Sequence, residues 1–127
     1  MIAGVGIDIV HDEQLPDGVL LSSDSFFRHT FTEGEWNLAQ QRQNPEGFLR
    51  GRFAAKEAVF KALGASSELL KRWDDIEVLS DENGAPCVVL HGAVAVWAQD
   101  CGISWWHVSL SSDRDCHMAF CVAERDS

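Results

Sequence analysis

The chain has 127 residues, 46% of them hydrophobic, with 20 acidic residues against 10 basic ones and a net charge of −10. That length suits one compact domain over residues 1–127, burying roughly two thirds of its unfolded surface without the help of disulfides. The acidic balance argues against nucleic acid, whose phosphates need a basic surface, and no apolar run approaches the ~20 residues of a membrane span, so a cytoplasmic protein is expected.

Ile2 to Val10 alternates as a strand, with Val5, Ile7 and Ile9 on one face and Gly4, Gly6, Asp8 and Val10 on the other. Asp8 is out of character there: a carboxylate in an apolar strand, two places from a glycine that lets another element approach closely. Residues 11–25 read as a loop around Pro16 and Gly18, interrupted by the apolar run Val19-Leu20-Leu21, and no Lys or Arg occurs before Arg28. After a short amphipathic segment at 26–31, Thr32-x-x-Glu35 forms a capping box predicting a helix to about Gln43.

Asn44-Pro45 then separates that helix from a long one over 45–64, with Pro-Glu in its first turn and Gly64 at its end. At about 100° per residue, Phe48, Leu49, Phe53, Val59, Phe60 and Leu63 share one apolar arc. Lys56 falls inside the arc, Glu57 lies just past its Phe53 edge, and Lys61 lies one turn beyond Glu57. The opposite side carries Ala54, Ala55, Ala58 and Ala62 instead of charges. The helix is therefore expected to be covered on most sides, and its boundary charges to need counter-charges, a metal or an anionic ligand.

Residues 65–75 form a connection with a helical turn at 68–72. Short strands at 76–79 and 87–90 flank the turn signal Asp81-Glu82-Asn83-Gly84. A helix over 92–100 stops at Gly102. A strand at 105–111 places Trp106, Val108 and Leu110 on one face and His107, Ser109 and Ser111 on the other, and a last strand covers 117–124. The order β-α-α-β-β-α-β-β points to an α+β layer structure, the long central helix packed on an antiparallel sheet. Cys87, Cys101, Cys116 and Cys121 contain no Cys-x-x-Cys pair and read as reduced, mostly buried thiols, Cys116 and Cys121 on opposite faces of the sheet.

By chemistry, the unusual residues are Asp8, then Glu57 with Lys56 and Lys61, then His107 with Ser109. Two carboxylates from separate elements suit a hard cation such as Mg²⁺, which completes its shell with water and phosphate oxygens. Lysines beside it suit a phosphate-bearing substrate. A structural Lys56–Glu57 pair and a strand histidine satisfied by neighbouring backbone are the plainer alternatives.

Gly4-Val5-Gly6-Ile7-Asp8-Ile9-Val10 resembles the opening motif of the holo-acyl-carrier-protein synthases, and Arg52-Phe53-Ala54-Ala55-Lys56-Glu57-Ala58 with Lys61-Ala62-Leu63-Gly64 resembles their second. Asp75-Ile76-Glu77-Val78-Leu79, Asn83-Gly84-x-Pro86 and His107-Val108-Ser109-Leu110-Ser111 match in type and order, so the likeness covers nearly the whole chain.

The resemblance implies a single-repeat 4′-phosphopantetheinyl transferase fold working as a homotrimer, with an active site at each subunit interface. A second subunit would be expected against the alanine side of the central helix. It implies transfer of the 4′-phosphopantetheine arm of coenzyme A to a serine of an apo-acyl carrier protein, with release of adenosine 3′,5′-bisphosphate. Asp8 and Glu57 would hold Mg²⁺, and Lys61 would contact phosphate or help deprotonate the serine. Arg52, Lys56 and His107 would meet the nucleotide phosphates, with Asn83 to Pro86 along the adenine.

His11 stands where the family usually has an acidic residue, and Ser112 where it often has a second histidine. Residues 11–27 lack the arginines that relatives display to the acidic carrier. That loss keeps open a non-catalytic trimeric module binding coenzyme A or a carrier within a larger synthase system. A metal-dependent nucleotide phosphatase would use the same carboxylates without a carrier.

Overall fold

A computed structural model describes residues 1–16, 29–66, 68, 69 and 72–126. Strand β1, Ile2–His11, leads through a 3-10 turn at Asp12–Gln14. Helix α1 spans Glu33–Gln40 and α2 spans Pro45–Leu63; β2, Ile76–Ser80, and β3, Pro86–Leu90, follow. Helix α3, Gly92–Asp100, precedes β4, Ile103–Asp113, and β5, Cys116–Arg125. The expected Val19-Leu20-Leu21 run and half of the segment at 26–31 lie outside the described residues, as does part of the turn at 68–72.

Local chemistry explains the helix ends. Thr32 caps α1, accepting from the Glu35 amide at 3.1 Å while Glu35 Oε1 accepts from the Thr32 amide at 2.9 Å, the reciprocal box its sequence predicts. The helix ends at Gln40, about a turn short of the expected Gln43. Asn44 caps α2 by accepting from the Gly47 amide at 3.1 Å, Pro45 occupies the first turn, and Gly64 ends the helix at φ 63°.

The described strands form a three-stranded antiparallel sheet, β1-β5-β4, and a separate hairpin, β2-β3. Asp8 pairs with Ala119, Ile7 with Phe120, and Ser109 with Phe120 from the other side. Helix α2 lies on β1 and β5, its apolar arc burying Leu49, Val59 and Leu63 in the core. Half-buried Phe53 and Phe60 of the same arc set their rings edge-on to Trp73, with centroids 5.4 and 5.8 Å away. Helix α3 is tied to the end of α2 by Trp97 Nε1, which donates to the Leu63 carbonyl at 3.1 Å.

The alanine side of α2 does not await a neighbour. Ala54, Ala55 and Ala58 are fully buried within the one chain, and Ala62 nearly so. Gly4 and Gly6 of β1 meet this side so closely that a Cβ on either would stand 1.9 Å from the carbonyl oxygen of Ala62 or Ala58. The glycine face of β1 therefore carries the helix, because only a strand without side chains admits a backbone at that distance. This corrects the expectation that a second subunit covers the alanines.

The opposite face of the sheet is apolar and open. Val5, Ile7 and Ile9 are exposed there with Met118 and Phe120 of β5 and Trp105 of β4. The expected alternation of β4 holds, Trp106, Val108 and Leu110 facing inward and His107, Ser109 and Ser111 outward. All four cysteines are free, but only Cys121 is buried, and Cys87 is exposed. Cys87 lies on the two-stranded hairpin, whereas Cys121 lies on the central strand of the three-stranded sheet, which explains the difference.

Candidate active site

The close approach of β1 and α2 brings Asp8, Glu57 and Lys61 together. Lys61 Nζ donates to Asp8 Oδ1 at 3.0 Å and to the Ile7 carbonyl at 2.9 Å. The Asp8 side chain is one-tenth exposed, whereas that of Lys61 is about half exposed. Glu57 has its carboxyl within hydrogen-bond reach of Asp8. Burial first, and then the hydrogen bond and charge of Asp8, push it up to about 8, against the lowering effect of Lys61.

Two carboxyls can share a hydrogen bond only when one is protonated. With both ionised, the buried Asp8 Oδ2 has no partner. An unpartnered buried oxygen beside a second carboxylate, with one ammonium for two negative charges, suits a hard cation. The described residues contain no cluster of three protein ligands that could hold a metal, so any further coordination would come from water or substrate oxygens.

Lys56 departs from the expectation that it meets nucleotide phosphates or orients Glu57. Its side chain is completely buried, with Nζ 2.7 Å from Glu35 Oε1 and 3.0 Å from the Trp73 carbonyl, and it also donates to the Ile76 carbonyl. Glu35 in turn accepts from the Val78 amide at 2.8 Å through its other oxygen. Desolvation pushes the Glu35 carboxyl up and the Lys56 ammonium down from their ordinary values, each opposed by the partner's charge. One ion pair thereby joins α1, α2 and β2, and Lys56 has no donor left for a ligand.

Arg52 sits one turn before Lys56, at the base of the hairpin. It donates to Ser80 Oγ at 3.0 Å and to the Leu79 carbonyl at 3.4 Å, while its Nε is buried without a partner. Its guanidinium lies 4.4 Å from the centre of the Phe48 ring, and that of Arg42 lies 4.7 Å from the same ring. Desolvation lowers Arg52 to about 10, Glu35 raising it and Arg42 lowering it further. Asn83 and Pro86 belong to the loop and first strand position beyond Ser80. There Asp81 Oδ1 accepts from the Asn83 and Ala85 amides at 2.8 and 2.9 Å, and Gly84 takes φ 84°.

His107 is not brought to the carboxylates within one chain. It faces the outer side of the sheet and pairs with Glu124 at 2.5 Å, whereas Asp8 faces α2. Ser109 shares that outer face.

Sequence reasoning missed a second cluster at the end of β1. Asp12 Oδ1 lies 2.8 Å from His117 Nε2 and 3.5 Å from Arg50 Nη1, and His117 Nδ1 lies 2.9 Å from Ser112 Oγ. Period-two reading places His117 on the inner face of β5 next to Ala119, but only the fold brings Asp12, in the turn after β1, against it.

Residues 4–121 match the 4′-phosphopantetheinyl transferase superfamily. The chain is 42% identical over 127 residues to the holo-[acyl-carrier-protein] synthase of Leifsonia xyli subsp. xyli, covering 100% of both chains. Among solved structures it is similar to the holo-[acyl-carrier-protein] synthase of Neisseria meningitidis, with a TM-score of 0.86, 32% identity and coverage of 98% of this chain and 100% of that one. It is also similar to an ACPS–CoA complex from Chronobacterium ammoniagenes, with a TM-score of 0.83, 29% identity and coverage of 97% of each.

Proposed function

Because the chain belongs to the holo-acyl-carrier-protein synthases of the 4′-phosphopantetheinyl transferase superfamily, we propose that it transfers the 4′-phosphopantetheine arm of coenzyme A to a serine of an apo-acyl carrier protein and releases adenosine 3′,5′-bisphosphate. The observation that carries this reading is the Asp8–Glu57 pair, two partly buried carboxylates with an unpartnered oxygen between β1 and α2.

Asp8 and Glu57 are the residues that would hold Mg²⁺. When bound, the ion supplies Lewis-acid stabilisation of charge on the pyrophosphate being broken. Lys61, paired with Asp8 and half exposed, would turn its ammonium to a phosphate oxygen once Asp8 holds the ion. Arg52, at the base of the hairpin, would meet another phosphate of the nucleotide, with Asn83 and Pro86 beside the adenine. The Glu35–Lys56 pair keeps the hairpin base at a fixed distance from α2, and so orients these groups without touching the substrate.

A homotrimer completes this reading. The open face of Val5, Ile7, Ile9, Met118 and Phe120 gives a second copy an apolar surface to cover, and His107 on the same face would then serve a neighbour's nucleotide site. Residues 1–127 act as one domain in each subunit. Its four free cysteines suit the reducing cytoplasm, and no described helix is long and apolar enough to cross a membrane.

The test is incubation with coenzyme A, Mg²⁺ and several apo-carrier proteins, read by intact mass. One carrier should gain the mass of a single phosphopantetheine. Absence of any gain across fatty-acid and secondary-metabolism carriers, with hydrolysis of a nucleotide substrate instead, would replace the transferase by a phosphatase.

A further inference from the structure

Arg50, Ala54, Glu57 and Lys61 fall at i, i+4, i+7 and i+11 on α2, one stripe running along the helix beside β1. The strand runs the opposite way and answers it in order. Asp12 meets Arg50, Asp8 meets Glu57, and the Ile7 carbonyl and Asp8 Oδ1 take Lys61. The two acidic residues of the site thus lie between two cationic rungs. On the Lys61 side the glycine contacts leave no slack between the backbones, Gly4 against Ala62 and Gly6 against Ala58, the residue next to Glu57. At the other end, among the described residues, α2 is tied to the end of β1 by the Asp12 rung and by Arg50 Nε on the Leu15 carbonyl.

That rung is built into the sheet. His117, 6% exposed on β5, holds Asp12 Oδ1 at 2.8 Å through Nε2. The carboxylate accepts from Nε2–H, which leaves Nδ1 to accept from the Ser112 hydroxyl at 2.9 Å. Arg50 Nε donates to the Leu15 carbonyl at 2.8 Å, and the Asp12 amide donates to the Asp115 carbonyl at 2.9 Å. The Asp12 carboxylate thus joins the end of β1 to α2 through Arg50 and to β5 through His117, which in turn reaches Ser112 of β4.

Building on the metal site assigned above, we propose that Asp12 and His117 are positioning residues that set the spacing of Asp8 and Glu57, and through it the affinity for the divalent cation. They touch neither cation nor substrate. Partners that orient metal-binding carboxylates from outside are worth about 10- to 100-fold in affinity, and an effect near the lower end is expected, because Asp8 is also held by Lys61.

The experiment measures Mn²⁺ binding by electron paramagnetic resonance in the presence of coenzyme A, alongside Mg²⁺-dependent turnover. His117→Ala should raise the Mn²⁺ dissociation constant about tenfold, with little change in kcat at saturating Mg²⁺ or in KM for coenzyme A. His117→Gln, whose amide can still donate to Asp12, should recover most of the affinity. Asp12→Asn carries the same test should His117→Ala fail to fold. Unchanged Mn²⁺ affinity in folded variants, or a loss matching only the unfolded fraction seen by circular dichroism, overturns the clamp. Failure of the wild-type protein to bind Mn²⁺ overturns the metal site itself, and the clamp with it.

Discussion

Glu35→Ala is the substitution whose cost the structure fixes best. The side chain is fully buried and does three things: it pairs with Lys56 at 2.7 Å, accepts from the Val78 amide at 2.8 Å and closes the capping box at the Thr32 amide. Breaking one side of a buried ion pair costs about 3–5 kcal/mol, because the remaining charge is left uncompensated. An orphaned buried amide alone costs about 1–3 kcal/mol. These costs share one site and do not add, so a loss of about 4 kcal/mol is expected, a large part of the 5–15 kcal/mol typical of a domain.

The pair itself contributes far less than its removal costs. A carboxyl raised above 4.5 binds more protons folded than unfolded, so Glu35 lowers stability as pH rises through that window. An ammonium lowered below 10.5 loses its proton more readily folded than unfolded, so Lys56 lowers stability as pH falls through its own. At neutral pH both penalties stand, which identifies the pair as a device fixing how α1, α2 and β2 meet. Glu35→Met with Lys56→Met should therefore recover most of what Glu35→Ala loses. Urea unfolding of the single and double variants, followed by circular dichroism, measures the coupling. A cost below about 1 kcal/mol for Glu35→Ala, comparable to losing only a helix cap, would refute the assignment of a buried pair.

Asp8→Ala or Glu57→Ala should abolish transfer while leaving the circular dichroism spectrum intact, and near-normal turnover at saturating Mg²⁺ in either would remove the metal assignment. Glu57, pushed up to about 8, must lose its proton to take a cation, so Mg²⁺ affinity should rise roughly tenfold per pH unit below that value; calorimetry at pH 6, 7 and 8 measures it, and a flat profile contradicts the shared proton. Gly6→Ala puts a methyl 1.9 Å from the Ala58 carbonyl oxygen, a backbone atom that cannot rotate away, and should cost about 3 kcal/mol by thermal unfolding; a neutral result would mean that α2 can lift off β1 freely. Ile7→Glu, on the open face at 52% exposure, should yield a monomer by light scattering and weaken transfer; a fully active monomer would overturn the interface assigned to that face.

The sequence determined the elements and half of the site, because both are written in local spacing. Thr32 with Glu35, Asn44-Pro45 and Gly64 bound their helices through contacts three or four residues apart. Alternation in β4 assigned each of its faces, while Asp8 in an apolar, glycine-bearing strand and Glu57 with Lys61 at the edge of a helical arc each stood out as charges in need of partners. The tertiary structure decided which face of β1 is core. The apolar trio Val5, Ile7 and Ile9 lies outside and the glycines inside, since backbone proximity to α2 outweighs side-chain hydrophobicity when the facing helix side is alanine. It also gave Lys56 to Glu35 instead of Glu57, put His107 across the sheet from Asp8, and joined Asp12 to His117. Each of those outcomes depends on how separate elements cross or register, and a burial penalty of several kcal/mol per unpaired charge settles the partner only once that crossing is fixed.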